Sequence, residues 1–145
     1  MFRPHPNARE VSRRVARLPL DYVVERLDEH WIVLGPTGVF VVGRAGDDLA
    51  LDAEATIALA HRIRTQLSDV VPWVPFVDAL LVTAEADLSV PCTIVDIATL
   101  EMALLSGPIS IDEVGLSQLR HHLPTVLGRI ESSADLGLSA PLDPA

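Results

Sequence analysis

Lysine is absent from this chain: all 11 basic residues are arginine. Such usage points to a GC-rich genome and says nothing of function. One cysteine, Cys92, is present, which excludes an internal disulfide and any multi-cysteine zinc or iron–sulfur centre. A lone thiol gives no sign of an oxidising compartment, so a cytoplasmic protein is the simplest expectation. Aromatic residues make up 4% of the chain, too few for a stacking platform that would hold single-stranded nucleic acid. Long apolar runs are also missing. The longest uncharged stretch, His30–Gly43, has 14 residues and is broken by Gly35-Pro36-Thr37-Gly38, so no membrane insertion is expected. Met1–Pro6 carries two prolines and no apolar core, and does not read as a signal peptide. Positive charge is scarce: 20 acids outweigh the arginines and leave a net charge of −9. That balance argues against a surface built mainly for nucleic acid or anionic lipid.

What remains is globular in composition. Hydrophobic residues account for 49% of the 145 positions and charged residues for 21%. A single domain of this length buries about 68–70% of its unfolded surface and needs no disulfide or metal to hold it. Mean hydropathy is +0.34, high for a small soluble protein. Part of that apolar content is expected to face a protein partner or another copy of the chain.

Charge is segregated along the sequence. Residues 1–26 hold six arginines and three acids, whereas residues 27–145 hold five arginines and 17 acids. Arg9, Arg13, Arg14 and Arg17 fall within Asn7–Leu18, where Val11, Val15 and Leu18 recur at helical spacing. Asn7 with Glu10 reads as a capping box and Pro19 as a stop. This predicts a short amphipathic helix whose arginine face either pairs with the acidic body or meets an anionic partner.

Strands are predicted at Asp21–Leu27, His30–Leu34 and Val39–Val42, with the Gly35–Gly38 turn between the last two. The unbroken apolar run Val39–Val42 implies burial on both faces. Gly43–Leu51 reads as a loop or short strand. Asp52 is placed to cap a helix running to about Leu67, with Ile57, Ala60, Ile63 and Leu67 on its apolar side. Prolines 72 and 75 mark a connection, Asp78–Thr83 and Cys92–Val95 read as short strands, and Ala84–Pro91 as a loop between them. Ile97–Leu105 is a helix closed by Gly107-Pro108. Ser110 with Glu113 forms a second capping box, opening a helix that Pro124 ends or kinks. The fold class expected is α/β: a mixed β-sheet flanked by helices.

The stretch HWIVLGPTGVFVVGRA, His30–Ala45, resembles the centre of the nuclease-related NERD domain, a restriction-endonuclease-like, PD-(D/E)xK fold. Gly35, Pro36, Gly38, Val39, Phe40 and Val41 stand where that pattern has them. The resemblance covers residues 20–125, preceded by the helix region 1–19 and followed by a C-terminal tail expected at 126–145. It implies a sandwich in which two carboxylates hold a divalent ion and a lysine assists an attacking water. Aligned on Gly35, the family's aspartate, glutamate and lysine fall at His30, Gly43 and Ala45. None of these three can serve in those roles: Gly43 has no side chain and Ala45 only a methyl. Asp28, Glu29, Asp47 and Asp48 are the nearby carboxylates that would have to relocate for cleavage to survive, with Arg44 in place of lysine. Arginine is a poor proton acceptor, and a one-residue shift turns a strand side chain to the opposite face.

Other chemistry finds little support. His121 and His122 are adjacent and so about 100° apart on a helix, poor geometry for one ion. His61 stands alone, and no metal site is expected. There is no G-x-S-x-G elbow and no phosphate-binding glycine loop, and Cys92 enters an apolar strand as an inert thiol. The sequence therefore predicts a protein without cofactor or identifiable small-molecule substrate, acting through a protein partner or as a homo-oligomer. Arg9, Arg13, Arg14, Arg17, Trp73 and Phe76 are its candidate contact residues. A metal-dependent nuclease with relocated carboxylates, or a nucleic-acid-binding relative without chemistry, are the alternatives.

Overall fold

Side-chain alternation in two central strands decides the architecture. The computed structural model describes residues 6–73, 76–84 and 92–135. In order, its elements are α1 (Ala8–Val15), β1 (Val23–Leu27), β2 (His30–Gly35), β3 (Gly38–Arg44), α2 (Leu49–Ser68), β4 (Val77–Val82), β5 (Thr93–Val95), a 3-10 turn at Ile97–Thr99, α3 (Leu100–Leu105) and α4 (Glu113–Asp135). Ile32, Leu34, Val39 and Val41 point into one core, shared with Ile63 and Leu67 of α2 and Leu119 and Leu123 of α4. Trp31, Val33, Phe40 and Val42 point the other way, onto Val11 and Val15 of α1 and Leu100 and Leu104 of α3. The uninterrupted apolar runs are thus what a strand covered on both faces requires.

The five strands lie in the order β1-β2-β3-β4-β5. β1 to β3 form an antiparallel meander, with Val33 opposite Phe40. β3 and β4 are parallel, as are β4 and β5, and α2 makes the crossover that a parallel pair needs. The expected α/β class, a mixed sheet flanked by helices, is the one found.

Helix α1 begins as its sequence dictates: Asn7 and Glu10 form the reciprocal capping box. The helix is not an appendage, because Val11 and Val15 are buried in the shared core and Ser12 Oγ accepts a hydrogen bond from Trp31 Nε1 at 3.0 Å.

Several boundaries depart from the sequence reading: α1 ends at Val15 rather than Leu18, β1 starts at Val23 rather than Asp21, and three further departures concern α2 and α4. Asp48, not Asp52, caps α2, its side chain accepting the Leu51 N–H at 3.1 Å. Ser110 does not cap α4. Asp112 accepts the Gly115 N–H at 2.8 Å, while Ser110 donates its hydroxyl to the Thr37 carbonyl. Third, α4 passes through Pro124 to Asp135, so positions 126–135 are helix rather than tail. Val126, Leu127 and Ile130 are all buried beneath it. Burying such side chains contributes about 1.5–3 kcal/mol each, which outweighs the roughly 3 kcal/mol that an interior proline costs. Residues 136–145 and most of the expected 84–91 loop lie outside the described residues.

Pro124 itself faces solvent. Pro124→Ala restores an N–H donor to an exposed helix position, and should raise stability by about 1–2 kcal/mol, less than the full proline penalty because the packed helix keeps its path. Urea unfolding of the two proteins checks this; an unchanged or lower midpoint would show that the packed helix gains nothing from the restored donor.

Candidate functional site

The turn that carries the family-like motif is a structural clamp. Pro36 and Thr37 occupy the tip between paired Gly35 and Gly38. Gly38 has φ +144°, a backbone region that favours glycine. Gly35 is required for a different reason: the Tyr22 ring lies against its backbone, and a β-carbon there would overlap the ring, with Cγ at 2.8 Å. Tyr22 OH and Thr37 Oγ1 are hydrogen-bonded at 2.8 Å, and Thr37 Oγ1 donates to the Leu104 carbonyl at 2.6 Å. The Pro36 carbonyl accepts N–H groups from Ser110 and Ile111 at 2.8 and 3.1 Å. The turn therefore joins β2, β3 and the connection between α3 and α4.

The positions aligned with catalytic residues sit at the other end of the hairpin. There the structure brings His30 and Gly43 side by side, at the carboxyl end of β3 and against the first turns of α2. A β-carbon on Gly43 would lie 3.2 Å from His30 Cδ2 and would overlap Thr56 Oγ1. Thr56, fully buried, fills the place where a strand side chain would emerge. Ala45 is also fully buried, packed with Ala53 and Leu81, and its N–H bonds the Val82 carbonyl at 2.8 Å. The end of β3 is thus closed by small apolar groups, the Thr56 hydroxyl and the His30 ring.

The proton on that hydroxyl fixes the histidine. Thr56 Oγ1 donates to the Asp52 carbonyl at 2.8 Å, the usual back-bond of a mid-helix threonine. A hydroxyl has one proton to give, so toward His30 Nε2, 3.3 Å away, Oγ1 is the acceptor. His30 therefore carries its proton on Nε2 and leaves Nδ1 as a lone pair on the ring edge turned away from Thr56. Burial lowers the imidazole pKa from its ordinary 6.5, against the opposing pull of Asp28, Glu29 and Asp52.

The unfolded chain then binds the His30 proton more readily than the folded one. Stability should fall as pH drops below 6.5 through the lowered folded value, and the loss should be absent from His30→Gln. Urea midpoints of both proteins between pH 5 and 7.5 measure the difference; parallel profiles would refute the assignment.

Of the carboxylates that would have to relocate, Asp28 is exposed in the β1–β2 turn near His30 and forms no salt bridge among the described residues. Glu29 pairs with Arg44 at 3.4 Å, and Asp48 caps α2. Asp47 is exposed. Asp52 accepts the Gly46 N–H at 2.6 Å. Arg44, on the strand face opposite Gly43, has a buried Nε without a hydrogen-bond partner among the described residues. No cluster of three or more His, Cys, Asp or Glu positioned to hold a metal occurs among the described residues. Cys92 is half-buried and its thiol pKa is raised by burial, which keeps it protonated. His61 is exposed on α2, and the His121 and His122 rings meet edge to face at 5.0 Å.

The candidate contact residues divide. Arg14 is held by Glu101 at 3.1 Å, while Arg9 and Arg13 are exposed on α1 and Arg17 is exposed in the turn that follows it. Met102 and Leu105 of α3, in the same helical layer, are exposed as well. Trp73 is docked, its ring against Gly115 and its Nε1 donating to Gln118 at 3.2 Å. Phe76 is 68% exposed. Val74 and Pro75, between them, lie outside the described residues.

Sequence reasoning missed Thr56. Its signal was present, since Thr56 occupies the same buried helical stripe as Ala53, Leu59, Ala60 and Ile63, one polar residue among apolar ones. The chain matches no family model, no curated protein and no solved structure. No helix among the described residues is long and apolar enough to cross a membrane.

Proposed function

We infer that this chain is a non-catalytic domain on a NERD-like, restriction-endonuclease-like fold, working in the cytoplasm through a protein partner or as a homo-oligomer. One observation carries the reading: Thr56 and His30 fill the space that a carboxylate at position 43 would need. A metal-holding strand end must keep room for two carboxylates, an ion and a phosphate, and here that room is taken by packing. The three-stranded meander followed by a helical crossover to a parallel strand supports the nuclease-like assignment. The exposed Arg9, Arg13 and Arg17, with the exposed Met102 and Leu105 of α3 in the same helical layer, supply a contact face on a chain that is otherwise acidic.

The test has two parts. The chain isolated from its own cell should run as a defined oligomer or carry a stoichiometric protein partner, read by light scattering and native mass spectrometry. Incubation with Mg²⁺ or Mn²⁺ and single- or double-stranded DNA should produce no cleavage. Metal-dependent cleavage that Asp47→Ala or Asp48→Ala removes would overturn the reading, as would a partnerless monomer.

A further inference from the structure

A cavity of about 420 Å³ opens between the β1–β2 turn and the helices α2 and α4. That is within the size range of sites for small organic ligands. Leu27, Ala58, Leu59 and Ile130 give it an apolar wall. Its polar groups are unevenly placed. Arg62 and Glu131, of opposite charge, border it from α2 and α4. Asp28 and His30 border it from the turn, and the Asp28 carboxylate forms no salt bridge among the described residues.

Two features of the turn end select a ligand class. The His30 ring is pinned through Nε2 to Thr56, so the edge it keeps free carries a lone pair, an acceptor and not a donor. Around it stand the carboxylates of Asp28, Glu29 and Asp52, with Arg26 as the opposing charge. At the turn end an anion would meet the repulsion of these carboxylates, the cationic Arg62 bordering the cavity from α2 rather than from the turn. A bare divalent ion would lack ligands, since no three ligating side chains converge. A group that is positive, donates hydrogen bonds and has an apolar stem matches both the turn end and the wall.

We propose that this cavity binds an organic ammonium or guanidinium group on a short apolar stem, the charged head between Asp28 and His30 Nδ1 and the stem along Leu27, Ala58 and Leu59. Two sources offer that chemistry: a free amine, or a lysine or arginine side chain of a partner protein. The site is independent of whether the domain cleaves nucleic acid.

The experiment is a titration of the isotope-labelled full chain, followed by NMR at the His30 ring and the Leu27 and Leu59 methyls. Benzylamine is the probe, with benzyl alcohol and benzoate as neutral and anionic counterparts. Benzylamine should give saturable shifts with a Kd on the order of 1 mM, as its few atoms allow. Benzyl alcohol and benzoate should bind at least fivefold more weakly. Asp28→Asn should weaken benzylamine about fivefold. This variant should fold, because the residue has φ +54°, which asparagine tolerates. Ala58→Phe, at an exposed helix position, should fill the wall and abolish the shifts. Equal binding of alcohol and amine, or an Asp28→Asn protein that binds as the parent does, overturns the proposal. N-acetyl-lysine and N-acetyl-arginine methylamides separate the sources: tighter binding than benzylamine assigns the site to a partner's side chain, weaker binding to a free amine.

Discussion

Gly35→Ala should destabilise the fold by about 3 kcal/mol, at the upper end of what overpacking costs. The added methyl would enter the Tyr22 ring. Neither party can retreat cheaply. Tyr22 is tied through its hydroxyl to Thr37, and Thr37 to the Leu104 carbonyl. Gly35 is buried and paired with Gly38 across the hairpin end. Moving the ring would break the link between the hairpin tip and the end of α3. The prediction separates packing from backbone freedom. In a Tyr22→Ala background, Gly35→Ala should cost about 1 kcal/mol or less, because the clash is gone. Urea unfolding of the two single variants and the double variant gives the coupling energy. An equal cost of Gly35→Ala in both backgrounds would show that Tyr22 is not the reason for the glycine.

That glycine shows where sequence reading succeeds and where it stops. A Gly-Pro-x-Gly turn between apolar runs was legible because the local chemistry suffices: proline sets one dihedral, and Gly38 takes a positive φ. The role of Gly35 was not legible, because it depends on a ring from the segment that leads into β1. The same division holds elsewhere. The Asn7 capping box is satisfied within four residues and was read correctly. The start of α2 was misplaced because Asp47, Asp48 and Asp52 all look like caps, and only the path of the chain out of β3 selects Asp48. Pro124 looked like an end or a kink because a local rule was applied without the tertiary contacts of Val126, Leu127 and Ile130, which carry the helix past it. At the candidate site, the sequence showed that positions 43 and 45 carry no metal-ligating or basic side chains. It did not reveal what had taken their place, since Thr56 arrives from a helix 13 residues downstream of Gly43.

Placing a glutamate at position 43, where the proposed NERD-like alignment has one, tests the site most directly. Gly43→Glu is expected to cost at least about 3 kcal/mol and to confer no metal-dependent cleavage, with or without Ala45→Lys. Two penalties combine. The β-carbon alone overlaps Thr56 Oγ1, and the carboxylate beyond it would be forced into a buried space bounded by a fully covered threonine and the His30 ring. Gly43→Ala isolates the first penalty and should cost about 1–2 kcal/mol. Thr56→Ala removes the overlapping atom, and in that background Gly43→Ala should become nearly neutral. The coupling between the two positions should therefore exceed about 1 kcal/mol. Thr56→Ala by itself should cost about 1 kcal/mol, because His30 Nε2–H loses its acceptor. Denaturant midpoints for the four proteins, together with Mn²⁺ titration of Gly43→Glu, decide the matter. A Gly43→Glu protein of unchanged stability that binds Mn²⁺ would show that the strand end has kept the room a metal needs. In that event the absence of a carboxylate would be a single reversible substitution rather than a repacked site, and the non-catalytic reading would lose the observation on which it stands.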